Sequence, residues 1–417
     1  MELFKSTNFD FLRWKWPFIG ASLVLSVAGI LSILMHGGLK YGIDFKGGAL
    51  MTVKFAYAPP VDKIRSAMSQ KVKGDISVQN FTDPASVNEV AIGTELQEEK
   101  LLNVNRQAMA DVLTNTFGQP QSGKLDFNNA SAQQLIDRIR DPLARAGVAL
   151  SEPQLQKLIT DMLNFRNTPP RSGLLTDFNQ LSSVPGVTPA VINTLKQECY
   201  LAPFTIRNVE MVGPKVGAEL RTKALLATLY ALAGMLVYIA FRFEWIYGLG
   251  AVIACFHDTI ITVGLFSLFN KEIDMTVIAA LLTLVGYSMN DTIVIFDRIR
   301  ENLKFMRREP LETVMNRAIN QTLSRTVMTS GLTFLTVIAL FIWGGPVLHG
   351  FSFALVCGII VGTYSSVFVA SPIVLFWHNY ADVRKKRSGP APAVAAAARS
   401  EAVRNRPVGN RPTKAAK

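Results

Sequence analysis

Reactive and metal-binding side chains are scarce: the 417 residues include three cysteines and four histidines. Cys255 and Cys357 fall in apolar runs and Cys199 stands alone, so neither a disulfide framework nor a metal-ligand spacing is present. No P-loop, nucleophile elbow or zinc signature occurs. An enzyme is therefore the weaker class, and neither a cofactor nor a metal is expected. Acidic residues are fewer than basic ones, which leaves a formal net charge of +12. That excess is localised. Residues 381–417 hold ten Lys/Arg against two acids, and residues 297–325 hold seven against four. Both stretches flank long apolar runs, which fits the positive-inside rule of membrane proteins better than a nucleic-acid surface. No nucleic-acid partner is expected.

What the chain has in abundance is unbroken apolar sequence. Six runs lie at 17–35, 224–241, 249–269, 275–296, 326–343 and 348–376. A bilayer is crossed by about 20 apolar residues in a helix. The expected fold is an α-helical polytopic membrane protein with six transmembrane helices, numbers 2–6 of them within 224–380. Lys5, Arg13 and Lys15 precede the first run, Trp14 and Trp16 lie at its edge, and no small-residue cleavage pattern closes it. It reads as a retained signal-anchor, with residues 1–16 in the cytoplasm. Six spans then return both termini to the cytoplasm, along with the basic link 297–325. The Ala/Pro/Arg/Lys-rich tail at 381–417 is expected to be disordered and to touch anionic lipid headgroups.

Residues 36–223 follow the first run and should form a large periplasmic domain. Gly47-Gly48 suits a tight turn or a close backbone approach. Strands are expected at 49–57, 76–82, 87–93 and 204–212, and helices at 61–71 and 96–117. That is the β-α-β-β-α-β order of a ferredoxin-like α+β domain. Residues 118–200 interrupt it as a helical insertion. Ser131 and Gln134 form a capping box that opens a helix through Ile139, and a second helix covers 153–166. Residues 181–192 resemble one helix-hairpin-helix unit, with Thr188 where such motifs usually carry a second glycine. No basic, aromatic-interleaved patch accompanies it, so a packed helical module without a DNA role is expected.

Charged residues inside or at the edge of the apolar runs are few: Asp258, Asp291 and Arg325. The next charge after Asp291 is Asp297, and six helical residues rise about 9 Å, which sets Asp291 well below the polar surface. An ionisable group at that depth is a functional candidate. Asp291 ends one span and Arg325 starts the next, so the two can meet across antiparallel helices. A neighbouring Arg favours the charged carboxylate and burial favours the neutral one. A carboxylate between those influences can take up and release a proton as the Arg moves, the chemistry of a proton pathway. A static ion pair tying two helices is the other reading of the same residues. For Asp258, a packing hydrogen bond to His257 or a threonine stands beside a relay role. Ser288, Asn290, Thr292, Thr326 and Thr329 lie within a turn or so of these charges. They could orient a relay or serve as ordinary interhelical hydrogen-bonders. G358-x-x-x-G362 fits a small-residue packing pattern.

Several motifs then combine: YGIDFKGG at 41–48, VGPKVGAEL at 212–220, FRFEW at 241–245, FHDTIITVGLFSLF followed by EID, GYSMNDTIVIFDRIREN, SRTVMTSG and GGPVLHGFSF. Together they resemble the SecF branch of the SecD/SecF family, relatives of the resistance-nodulation-division transporters. The resemblance covers both flanks of the periplasmic domain and all six spans. It implies a cell inner membrane protein that works with SecD beside the SecYEG channel. The proton motive force would promote Sec-dependent preprotein export after SecA's ATP-driven insertion. It also implies that Asp291 and Arg325 fall on the family's proton-pathway Asp and Arg, and Asp258 on its less certain third-span Asp. The family's domain is usually a compact ferredoxin-like module, which residues 118–200 enlarge. The chain carries one six-span half, so SecD is expected as a separate polypeptide. Two rival readings are a non-transporting scaffold that stabilises the translocon and a small-molecule efflux half-transporter.

Overall fold

The computed structural model describes residues 7–81, 87–96, 98, 100–242 and 245–388. A helical turn, Leu12–Trp14, leads into α1, Lys15–Met35. The short α2, Ile43–Lys46, and a Gly-Gly pair then feed the domain: β1 Gly48–Phe55, α3 Val61–Lys71, β2 Ile76–Asn80, β3 Glu89–Glu95 and α4 Leu101–Phe117. The insertion contributes β4 Leu125–Asp126, α5 Ala132–Arg145, α6 Glu152–Asn167, α7 Pro189–Glu198 and β5 Cys199–Tyr200. The domain closes with β6, Phe204–Val212. Five more long helices follow: α8 Pro214–Arg242, α9 Trp245–Leu268, α10 Met275–Phe305, α11 Leu311–Trp343 and α12 Gly345–Ser365. A π-helical turn, Ser366–Ala370, carries α12 into α13, Ser371–Ser388. Among the described residues, six helical stretches are long and apolar enough to cross a membrane: Leu12–Met35, Pro214–Ile239, Trp245–Leu268, Met275–Phe305, Leu311–Trp343 and Val347–Ala381.

The sheet is antiparallel with order β2-β3-β1-β6, and α3 and α4 cover one face, which is a ferredoxin-like arrangement. Along β1 the residues alternate: Ala49, Met51, Val53 and Phe55 are buried, while Leu50, Thr52 and Lys54 are half-buried. Met51, Val53 and Phe55 enter the core with Ile64 and Met68 of α3 and Met109 and Leu113 of α4. Each such side chain contributes about 1.5–3 kcal/mol by burial. Gly47 and Gly48 both have positive φ. A Cβ on Gly48 would lie 2.0 Å from the Thr94 carbonyl oxygen, and one on Gly47 would lie 2.6 Å from Pro214 Cα. The pair therefore lets the start of β1 press against β3 and against the start of α8. Helix α4 begins at Leu101, later than the expected residue 96, because Leu96 still belongs to the end of the sheet: its N–H donates to the Gly47 carbonyl.

The insertion has its own core, in which Phe127, Leu135, Ile139, Ile159, Leu181 and Leu195 are buried together. The capping box of Ser131 and Gln134 is formed, and Ser151 with Gln154 repeats it at the start of α6. Helix α5 runs past Ile139 to Arg145, because Leu143 extends the buried stripe of Leu135, Ile136 and Ile139. In the hairpin-like segment a 3-10 turn, Phe178–Ser183, and the start of α7 at Pro189 flank the Pro185-Gly186 bend. Asn128 joins insertion to sheet: its amide donates to the Leu175 and Ala202 carbonyls at 2.9 and 2.8 Å and accepts from Leu175 N–H. Burial pushes the Cys199 thiol up to about 12, so it is unreactive at neutral pH.

In the bundle α10 lies between α9, α11 and α12. The small-residue pattern of α12 faces it: a Cβ on Gly358 would meet Leu284, and one on Gly362 would meet Ser288. The same device joins α1 to α9, where a Cβ on Gly29 would lie 2.7 Å from Gly264 Cα. The basic stretch 297–325 is mostly helix, since α10 continues to Phe305 and α11 begins at Leu311. Gln321 accepts from Arg298 and Asn302 across the pair, at 2.8 and 2.9 Å. The N-terminal segment docks there too: Phe9 and Phe11 N–H donate to Asn320 and Asn316, and Lys15 pairs with Glu312. The expected disordered tail is corrected in part, because α13 carries residues 381–388 as helix; residues 389–417 lie outside the described residues.

Candidate functional site

Two carboxylates sit on either side of α10. Asp258, on α9, is 1% exposed. One carboxylate oxygen meets His257 Nδ1 at 2.9 Å, and the other accepts from Ser288 Oγ of α10 and from Ser365 Oγ of α12, the latter at 2.8 Å. Next to Ser365, Ser366 shares a 2.8 Å hydrogen bond with Thr292 of α10. The π-helical turn starts at Ser366, and Ser371 Oγ closes it by donating to the Ser366 carbonyl at 2.9 Å. An apolar helix thus presents two adjacent hydroxyls, one to Asp258 of α9 and one to Thr292 of α10, and π-turns often occur where a helix is reshaped for such a task. Asp258 is a satisfied buried acceptor that ties three helices together.

Asp291, on α10, is 3% exposed and differs in kind. Its one hydrogen-bond partner among the described residues is Ser330 of α11, whose Oγ donates at 3.0 Å. The hydroxyls of Tyr287, one turn before Asp291, and of Thr326, one turn before Ser330, are buried without a protein partner. A carboxylate with a single donor can exchange a proton without dismantling a network. Arg325 makes no direct ion pair with it among the described residues, although its charge lies near enough to act on the carboxylate. The Arg325 side chain is exposed and no ion pair within 4.0 Å joins the two, although the helices that carry them are packed together. The expectation that these residues meet is therefore corrected for this conformation. A long side chain at a helix face reaches solvent more cheaply than it enters an apolar seam.

The supporting residues divide. Ser288 and Thr292 serve Asp258 and Ser366, not the Asp291–Arg325 region. Thr326 faces the buried seam, whereas Asn290 is exposed and the exposed Thr329 returns its hydroxyl to the Arg325 and Thr326 carbonyls of its own helix. Sequence reasoning missed Ser330, Tyr287, Ser365 and Ser366. Ser330 lies in SRTVMTSG, one helical turn after Thr326, so its sharing a face with Thr326 was readable. The serine doublet interrupts an apolar run, a weaker signal.

The bundle and the sheet domain are joined at the start of α10. Asp274 caps that helix by accepting from Val277 N–H at 2.8 Å, and Asp44 of α2 accepts from Met275 N–H at 2.9 Å. The stretches before α2 and α10 are bonded as well: Gly42 N–H donates to the Ile273 carbonyl and Ile273 N–H to the Lys40 carbonyl. The helix that carries Asp291 is thus fastened to the residues that start β1. Glu210 of β6 sits at this joint, where burial, Asp44 and Asp274 raise its carboxyl above the ordinary value. The folded state then holds its proton more tightly than the unfolded chain, so stability rises as pH falls toward the unfolded value of about 4.3. Glu210→Gln should stabilise the protein at neutral pH by less than about 1 kcal/mol, because the side chain is largely solvated. That gain should vanish as pH drops through the folded value, and thermal melts at several pH values check it.

A six-helix bundle that shelters two carboxylates and is fastened to an extramembrane α+β domain defines a polytopic membrane protein of transporter-like design. Residues 192–380 match the family described as protein export membrane protein SecD/SecF, C-terminal, and residues 33–56 match the SecD/SecF GG motif. The chain is 48% identical over 407 residues to the protein translocase subunit SecF of Koribacter versatilis, covering 94% of this chain and 97% of that one. It is 36% identical to SecF of Rhodobacter capsulatus, covering 89% and 90%. A Thermus SecDF crystal structure, described as a translocon-associated membrane protein, superposes with a TM-score of 0.58 at 29% identity, over 90% of this chain and 39% of that chain. A SecDF in a super-membrane-facing form gives 0.53. The chain belongs to the SecD/SecF family and is a SecF-type protein translocase subunit. It spans about two-fifths of the SecDF chains it matches.

Proposed function

We propose that the chain works with SecD to convert the proton motive force into late, Sec-dependent preprotein export through SecYEG, after SecA-driven insertion. Both termini lie in the cytoplasm, the α+β domain lies in the periplasm, and the membrane is the cytoplasmic one. The chain catalyses no reaction; it supplies a proton-binding group and a lever. The observation that carries this reading is Asp291, shielded yet held by one hydroxyl, with an exposed arginine on the next helix whose charge acts on it without a direct ion pair among the described residues. Ionised, Asp291 draws Arg325 inward; protonated, it releases Arg325 to the exposed position described above. Tyr287 and Thr326 supply hydroxyls on either side of Asp291 along the seam. Each exchange shifts α10 against α11, and the Asp44–Met275 bond with the backbone pairing of Gly42 and Lys40 to Ile273 passes that shift to the sheet domain, which holds the emerging preprotein. Asp258 keeps α9, α10 and α12 in register while the seam moves.

Arg325→Gln tests the reading. It should reduce gradient-stimulated export yet leave assembly and melting within about 0.5 kcal/mol, as for a surface change. A static buried pair predicts the reverse: a loss of about 3–5 kcal/mol of stability when one partner goes. Vesicle export assays and thermal melts of the same preparations separate the two.

A further inference from the structure

Helix α8 touches the rest of the bundle mainly at its two ends. Gly217 lies against Phe45 and Gly47 at one end, and Ile239 is buried with Tyr247 at the other. Between these contacts α8 stands off from α9 and α10, and a slot of about 300 Å³ opens. The α8 wall runs from Arg221 to Leu232, about 16 Å of helix. Leu225 and Phe256, on facing helices, remain 60% and 50% exposed. Two threonines line the slot, but Thr228 and Thr259 turn their hydroxyls into their own helices, donating to the Ala224 and Cys255 carbonyls at 2.9 Å each. The interior is therefore apolar. Its one charge is Arg221, at the end next to the sheet domain, stacked 5.1 Å from the centre of the Tyr41 ring and in no ion pair among the described residues. An Arg–Tyr pair at the end of a membrane span sits at headgroup depth.

We propose that this slot is a binding site for one anionic phospholipid of the domain-side leaflet, with an acyl chain along α8 and the phosphate on Arg221. The shape and the charge together select this class. An apolar slot inside a bilayer gains little by exchanging one hydrocarbon chain for another. Occupancy and selectivity therefore come from the headgroup, and the chain only has to fit. Lys223, the next cation on α8, is already paired with Glu219 at 2.8 Å, so Arg221 is the cation free to take the phosphate. A bound lipid would also wedge α8 away from α10 at the level just above the carboxylate seam.

The test uses the full-length chain, delipidated in mild detergent and titrated with phosphatidylglycerol or phosphatidylethanolamine of identical acyl chains, with occupancy read by native mass spectrometry. The wild type should bind one phosphatidylglycerol about fivefold more tightly than phosphatidylethanolamine, the effect of a single interfacial cation. Arg221→Gln should equalise the two lipids, and Thr228→Trp, which fills the slot, should lower binding of both. Arg221 is exposed, so its replacement should leave the melting curve unchanged; if Thr228→Trp fails to fold, Arg221→Gln decides alone. A wild type without headgroup preference, or a preference that survives Arg221→Gln, overturns the proposal. So does expulsion of the lipid when SecD is added, which would make the slot a docking face for a partner helix.

Discussion

In vesicles that carry the assembled export complex, Asp291→Asn is expected to remove the whole gradient-dependent increment of late translocation. Asparagine keeps the size of the side chain and can still accept the Ser330 hydroxyl, so the α10–α11 contact survives. What is lost is the ability to change charge. If the carboxylate cycles between ionised and neutral forms, export with a proton gradient should fall to the rate without one, while ATP-driven insertion proceeds. Assembly with SecD should be unchanged, because Asp291 is held by one hydrogen bond, and interhelical bonds of this kind average about 0.6 kcal/mol. Co-purification and a melting curve provide that control. A scaffold that only braces the channel would show full stimulation in the mutant.

Asp258→Ala should fail in the opposite way, through stability. It removes the acceptor for Ser288 and Ser365 and the partner of His257, and it leaves a cavity at the crossing of α9, α10 and α12. Two interhelical hydrogen bonds, the His257 contact and the stranded hydroxyls together amount to about 2–5 kcal/mol. The variant should be recovered in lower yield and melt well below the wild type. Asp258→Asn retains the volume and can accept from both serines, so most of the stability should return. If that variant assembles normally and also retains gradient stimulation, Asp258 is structural. Both carboxylates are buried, so burial alone does not distinguish them; the number of donors around each does.

The spans were legible because a bilayer fixes the length of an apolar run, and the sheet domain because strand alternation and helix periodicity survive in a single sequence. Helix ends were less legible. Hydropathy ends α10 near residue 296, but Arg298, Gln321 and Asn302 bond across the two helices and carry them as helix to Phe305 and from Leu311. Asp291 stood out through its depth in the run. Its partner could not be read, because whether Arg325 turns inward or outward depends on the rotation of α11 and on the cost of leaving solvent. The Ser365–Ser366 doublet beside Asp258 was hidden for a similar reason. Ser365 and Ser366 matter only because a π-turn and the Gly358/Gly362 contact set α12 at one rotation against α10, and that packing choice leaves no periodicity in the sequence.

The central claim is that Asp291 is the carboxylate that gains and loses the proton, and infrared difference spectroscopy tests it most directly. Reconstituted wild type, Asp291→Asn and Asp258→Asn would be stepped from alkaline to acidic pH while the protonated-carboxyl stretch is followed. The account predicts a band in the wild type that persists in Asp258→Asn and disappears in Asp291→Asn. A band that survives in Asp291→Asn and is lost in Asp258→Asn would contradict it and move the proton site to the other side of α10.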